Sequence, residues 1–172
     1  MFWDAVRTGR CVANEVPFSR WDVDALASSN KKWSKEVKSR MRWGACMDDL
    51  DLFDAGFFGI SPNEAKMMDP QTRLLLEYSW LALSDAGYTK EDLRGKNVGV
   101  FVGIMAVDAA DLAPEFGIIA SHISALSGRI SFTFGLRGPC EAFDTACSSS
   151  IAALHAATRL SLIHISEPTR PL

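Results

Sequence analysis

The sequence predicts an α/β layered fold, a mixed sheet with helices on both faces, and three observations carry that reading. The run Val98-Gly99-Val100-Phe101-Val102-Gly103 is apolar without alternation, the pattern of a strand buried on both faces, and such strands belong to parallel or mixed sheets covered by helices. Explicit helix start signals come before it, from residue 60 onward. A second short strand, ending at Glu141-Ala142-Phe143, gives way to a helix through Asp144-Thr145-Ala146-Cys147-Ser148-Ser149.

From the N-terminus, a short helix is expected over Phe2 to Arg7. Residues 9 to 30, with Gly9, Pro17 and the cluster Arg20-Trp21-Asp22, show little periodicity and read as loop. Between Lys31 and Arg42 lie Lys31, Lys32, Lys35, Lys38, Arg40 and Arg42 against the single acid Glu36. Such a run could dock an acidic carrier protein, but charge runs are more often solvated faces.

Ser61-Pro62-Asn63-Glu64 combines an N-cap serine, a proline at the first helical position and a glutamate three residues on, so a short helix begins there. Asp69-Pro70-Gln71 repeats the device and launches a longer helix. Its expected apolar stripe is Leu74, Leu75, Tyr78, Leu81, Ala82 and Ala86, and Gly87 ends it. Thr89 to Asp92 opens a one-turn segment closed by Gly95, and the strand Val98–Gly103 follows. After a loop from Asp108 to Pro114, Ile119, His122, Ile123, Leu126, Ile130 and Phe134 recur near helical spacing over 118–134, although Gly128 weakens the pattern. Gly135, Gly138 and Pro139 then turn the chain into the strand before Cys147.

The totals describe one globular domain: 172 residues, 48% hydrophobic and 23% charged. A net charge of −3 argues against a nucleic-acid surface, whose footprint would be basic. Cys11, Cys46, Cys140 and Cys147 form no CxxC pair, and with three histidines the chain lacks zinc-ligand spacing, so the cysteines read as reduced thiols. Met1-Phe2-Trp3-Asp4 is unlike a signal peptide, and the longest near-apolar stretch, Val98 to Val107, is too short to span a bilayer. A cytoplasmic protein without a membrane span is expected.

The candidate functional residue is Cys147. Taken alone, a free cysteine is more often a buried packing residue. Here, however, it falls where a strand becomes a helix, with Ile151, Leu154, Ala157 and Thr158 at helical spacing over Ser148 to Leu160. Unpaired amides and the positive end of the helix dipole at such a start favour a thiolate and could hold an oxyanion. Asp144, Thr145 and the serines read as scaffolding that satisfies turn amides.

Four stretches in order carry a family resemblance: FDAGFFGISPNEAKMMDPQTRLLLEYSWLALSDAG (54–87), NVGVFVG (97–103), SGRISFTFGLRGP (127–139) and DTACSSSIAALHAA (144–157). From about Phe2 to about Leu160 the chain closely resembles the β-ketoacyl synthase domain of modular polyketide synthases. The resemblance implies a thiolase-like layered fold, of which this chain is the N-terminal half. It also implies an acyltransferase, with Cys147 as the acyl-accepting nucleophile whose amide contributes to the oxyanion hole. The expected reaction is decarboxylative Claisen condensation of acyl thioesters in polyketide or fatty acid synthesis. Substrates would arrive on the phosphopantetheine of an acyl carrier protein, with no cofactor or metal bound directly and the complete domain a homodimer.

The family's two histidines, with a supporting lysine, belong to the second half of its domain. His155 cannot substitute, because eight residues along one helix place it about 12 Å from Cys147. His122 matches no catalytic motif either. Residues 1–161 read as the family's N-terminal region. Residues 162–172, ending Glu167-Pro168-Thr169-Arg170-Pro171-Leu172, replace an expected turn and strand and read as foreign sequence, such as read-through of an adapter or vector junction. The strand and arginine-containing loop that precede the Phe2-Trp3 position in the family are likewise absent. A piece of this kind is expected to be inactive alone and to expose apolar surface. Two other readings remain open: a non-catalytic dimer half or carrier-docking scaffold, and a cysteine hydrolase, for which no His–Asn/Asp partner is evident.

Overall fold

The computed structural model describes residues 2–105 and 123–166. The chain divides into two compact units, Met1–Asp49 and Leu50–Leu172.

The first unit holds three short helices, α1 (Phe2–Thr8), α2 (Val23–Ser29) and α3 (Lys35–Arg40), and a two-residue antiparallel pair, β1 (Asn14–Glu15) with β2 (Trp43–Gly44). The expected first helix is present, but 9–30 is not plain loop. Asp22 caps α2 by accepting the Ala25 amide at 2.9 Å, so a local cap rather than apolar periodicity starts that helix. Of the basic run, Arg42 is spoken for: its guanidinium donates to Glu15 at 3.0 Å and also pairs with Asp24. Lys31, Lys32, Lys35 and Arg40 are exposed.

The second unit contains the candidate site. Its helices are α4 (Pro62–Met67), α5 (Pro70–Asp85), α6 (Lys90–Leu93), α7 (Ile123–Phe134) and α8 (Ser149–Ser166). Its strands are β3 (Val100–Gly103) and β4 (Cys140–Phe143), paired in parallel from Val100 opposite Cys140 to Gly103 opposite Phe143. Parallel neighbours require a crossover, and α7 lies within it. The fold is thus mixed α/β with small sheets, and its start signals act as read. Ser61 accepts the Glu64 amide, Asp69 accepts the Gln71 amide at 2.7 Å, and Thr89 forms a reciprocal capping box with Asp92. Hydrogen bonds from the Thr89 hydroxyl, then from its amide, hold the Asp92 carboxyl below its ordinary value. Glu64 does not close its own capping box; its carboxylate pairs with Arg129 of α7, tying α4 to that helix.

The core gathers Phe58, Met68, Leu76, Leu93, Val102, Ile130 and Phe134. Leu76 is fully buried. Aromatic rings extend it: Phe53 stacks on Phe58, and Trp80 stacks on Phe134 with centroids 6.1 Å apart.

Three expectations, two about burial and one about helix length, need correction. In α5 the buried positions are Thr72 and Leu76, with Leu75, Trp80 and Leu83 packed against the core, whereas Tyr78, Leu81, Ala82 and Ala86 are exposed. Apolar residues occupy both sides of this helix, so periodicity alone chose the wrong stripe. The strand is shorter than read, and only Val102 within it is fully buried. Among the described residues β3 has one neighbouring strand, and no described strand pairs with its other edge. The nucleophile helix also runs past Leu160 to Ser166. On α7, by contrast, Leu126, Ile130 and Phe134 are buried as expected. The expected loop at 108–114, Ile119 and His122 lie outside the described residues.

Val102 faces the core with Ile130 and Phe134, while the neighbouring Gly103 faces the start of α8. Successive strand residues point to opposite faces, so α7 and α8 cover opposite sides of the sheet. No described helix is long and apolar enough to cross a membrane.

Candidate active site

Cys147 stands between the end of β4 at Phe143 and the first residue of α8 at Ser149, and it is exposed. The chain turns from strand to helix in five residues, and side-chain hydrogen bonds hold that turn. The Asp144 carboxylate accepts the Ala146 amide at 3.1 Å. The Ser149 hydroxyl accepts the Thr145 amide at 2.9 Å and donates to the Ala146 carbonyl at 2.7 Å. Buried to 4% exposure, that hydroxyl is satisfied in both directions. Ser148 donates its hydroxyl to the Thr145 carbonyl at 2.8 Å, with Thr145 Oγ1 at 2.9 Å. The scaffolding expected of these residues is therefore present, and Ser149 is its buried centre.

The residue before the thiol carries the strain. Ala146 has φ 56°, a left-handed conformation that a residue with a Cβ adopts at a cost. The surrounding hydrogen bonds over-determine that geometry, and strain concentrated beside an exposed nucleophile is a recurrent mark of a functional turn. Strand, strained turn and helix together lift the side chain at 147 clear of the sheet, as in nucleophile elbows.

Gly103 makes this placement possible. A Cβ there would lie 2.4 Å from the Ser149 carbonyl carbon and 2.4 Å from the Ser150 nitrogen, both backbone atoms. The first turn of α8 therefore rests directly on the strand, which only glycine permits. The same closeness sets which face of α8 turns inward. Ala153 is buried, while Ile151 and Leu154, two of the positions at helical spacing, are 72% and 67% exposed. A helix pressed so tightly on a strand can present only small side chains to it.

Of the candidates that spacing and motif single out, Cys147 sits where expected, next to the first turn. His155 is exposed farther along α8. Cys11, Cys46 and Cys140 are free and exposed. Sequence reasoning missed Gly103, whose signal was a glycine at the C-terminal end of a strand. It also missed the strain at Ala146, for which alanine gives no signal. Among the described residues, no group of three or more His, Cys, Asp or Glu side chains could hold a metal ion.

A groove of about 420 Å³ runs beside β3, lined by Val100 to Gly103 with Leu75 and Ile130 on one side and Ser150, Ala153 and Ala157 of α8 on the other. Its floor is the edge of the strand away from β4. Backbone groups alternate sides along a strand, and Val100 and Ile104 donate their amides toward β4, so those of Phe101 point to the groove.

Comparison with known proteins supplies the family. The β-ketoacyl synthase N-terminal domain family matches residues 1–163. The phenolphthiocerol synthesis polyketide synthase type I Pks15/1 of Mycobacterium bovis is 47% identical over 159 residues, which are 89% of this chain and 7% of that protein. Among solved structures, the ketosynthase from module 6 of the bacillaene synthase of Bacillus subtilis is similar with a TM-score of 0.76 at 35% identity, covering 95% of this chain and 27% of its own. The oxazolomycin ketosynthase domain OzmH KS7 of Streptomyces albus gives 0.71 at 35% identity, covering 92% and 28%. Matched across nearly its whole length, and spanning about a quarter of those ketosynthase structures, the chain belongs to the β-ketoacyl synthase family as the N-terminal part of a ketosynthase domain of the modular type I polyketide synthase kind.

Proposed function

We propose that Cys147 is the acyl-accepting nucleophile of a ketosynthase that extends carrier-bound acyl chains by decarboxylative Claisen condensation. The supporting observation is the exposed thiol on a strained turn, held by side-chain hydrogen bonds, at the start of α8. The Cys147 thiolate attacks the carbonyl carbon of an incoming thioester, and the backbone amide of Cys147 contributes to receiving the oxyanion. Collapse of the tetrahedral adduct expels the carrier's phosphopantetheine thiolate and leaves the acyl group on sulfur. Thiolate replaces thiolate, so the exchange is close to balanced energetically and the acyl group stays reactive. In the second step an extender thioester loses carbon dioxide, and the resulting carbanion attacks the acyl carbonyl and frees Cys147. That step calls on the family's histidines, which no residue at this turn replaces.

The layered thiolase-like architecture belongs to the same reading. The edge of β3 away from β4 is where the sheet would continue in a complete domain, and a homodimer would bury further surface. Residues 1–161 are assigned to the domain and 162–172 are not, which the transcript sequence past Ala157 tests.

The acyl transfer is tested by incubating the complete ketosynthase with a hexanoyl thioester and weighing the peptide that carries residue 147. The expected result is a hexanoyl mass on that peptide, lost in Cys147→Ala together with at least about a thousandfold of condensation activity. An unmodified peptide from active protein would remove Cys147 from this role.

A further inference from the structure

The hydroxyl of Ser149 does more in the turn than satisfy a buried position. It donates to the Ala146 carbonyl at 2.7 Å, and the Ser149 amide reaches the same oxygen at 3.1 Å. That carbonyl belongs to the peptide unit whose N–H is the amide of Cys147. A trans peptide unit is planar, with its C=O and N–H pointing in opposite directions. Two donors that draw the carbonyl toward the first residue of α8 therefore aim the Cys147 amide the other way, away from the helix and into the space ahead of its N-terminus. The other side chains of the turn act on neighbouring units: Asp144 accepts the Ala146 amide, and Ser148 donates to the Thr145 carbonyl. Of these side chains, Ser149 alone grips the plane that carries the Cys147 N–H.

That plane has a reason to move. Relaxing a left-handed alanine rotates the peptide unit on either side of it, and with φ 56° Ala146 is under that pressure. The Ser149 hydroxyl opposes the rotation from a fixed point. Its oxygen also accepts the Thr145 amide at 2.9 Å, and the Ser149 backbone rests on Gly103 of β3. Chain added beyond these 172 residues can only cover Ser149 further, so its burial does not depend on how much of the domain is present. A donor hydrogen bond to the carbonyl also polarises the whole unit, which strengthens its N–H as a donor.

We propose that Ser149 is the positioning residue for the oxyanion-receiving amide, acting on the acyl-transfer step through the orientation of the Ala146–Cys147 peptide unit and not through the reactivity of the thiol. The proposal rests on the reading of Cys147 as the nucleophile. The two fail separately: a wild-type ketosynthase that is not acylated at residue 147 removes that reading, whereas a wild type that is acylated and a Ser149 variant that keeps pace with it remove this one alone.

The test compares two reactions of the same sulfur in the complete ketosynthase. With a hexanoyl thioester the Cys147 thiolate adds to the carbonyl, an oxyanion forms, and the carrier thiolate leaves. With iodoacetamide the same thiolate displaces iodide from a saturated carbon, and no oxyanion forms. Ser149→Ala should slow hexanoylation by about tenfold or more while alkylation stays within about twofold, with the pH profile of alkylation unmoved. Ser149→Thr and Ser149→Val, matched in shape and different in the hydroxyl, repeat the comparison if the alanine chain does not fold. The threonine variant should acylate within about threefold of wild type and the valine variant as slowly as alanine. Equal loss in both reactions, loss in neither, a shifted alkylation profile, or a threonine variant as slow as valine would each overturn the proposal. Failure of both the alanine and the valine chains to fold would assign the hydroxyl to stability and overturn it as well.

Discussion

Helices α7 and α8 cover opposite faces of the same pair of strands but do so by opposite means. Large side chains anchor α7: Leu126, Ile130 and Phe134 are buried, and Ile130 and Phe134 meet Val102 in the core. Small ones seat α8, with Ala153 inward, the first turn pressed on Gly103, and Ile151 and Leu154 pointing away. A helix serving only stability can hold its backbone at the distance its large residues require. One that must bring its first turn onto a strand end, so that Cys147 stands at the turn, gives up that spacing and with it the core contacts of its large residues.

The largest effect should come from the stability side. Ile130→Ala removes a buried side chain from the centre of the core and should cost about 2–5 kcal/mol in denaturant unfolding, with Cys147 still open to thiol reagents in the folded fraction. Gly103→Ala sharpens the contrast. Its methyl would meet backbone atoms that cannot rotate aside, so the turn must move, at about 1–3 kcal/mol. The expected signature is a loss of acyl transfer larger than the loss of stability, because the displaced group is the turn carrying Cys147. Unchanged acylation in the Gly103→Ala variant would show that α8 need not touch the strand.

The same contrast explains what could be read beforehand. Start signals are local chemistry, so Ser61, Asp69 and Thr89 could be recognised from a few neighbours, and the structure holds a helix at each. Cys147 could be placed next to a helix start for the same reason. Which face of a helix is buried depends on what lies across from it. Both α5 and α8 carry apolar residues on more than one side, so the stripe expected on α5 included Tyr78 and Leu81, and apolar residues at helical spacing such as Ile151 and Leu154 need not face inward; all four are exposed. The helix α2 was missed because its seven residues, VDALASS, carry little pattern and its start depends on a single carboxylate, Asp22. The φ of Ala146 is set by bonds from Ser149 and Asp144 around it, not by alanine itself.

A smaller effect should run the other way in α7. Gly128 sits inside that helix with nothing within 4 Å of an added Cβ and with no positive φ, so the glycine there costs backbone entropy without making a close approach. Gly128→Ala should raise stability by about 0.5–1 kcal/mol, read from the denaturation midpoint. Destabilisation instead would mean that a partner surface approaches α7 at this point.

The smallest expected change in stability is on α8 itself. Ile151→Gln with Leu154→Gln replaces two exposed apolar side chains by a good helix former, so unfolding of the chain should shift by no more than about 0.5 kcal/mol. Association is where the pair should register. Side chains of this size left open on a helix that flanks the groove along β3 form a surface that water disfavours, and self-association measured by sedimentation should fall in the double variant. A large loss of stability without any change in association would place Ile151 and Leu154 in the core after all. The difference between the two helices would then be one of side-chain size alone, not of what each helix has to hold in place.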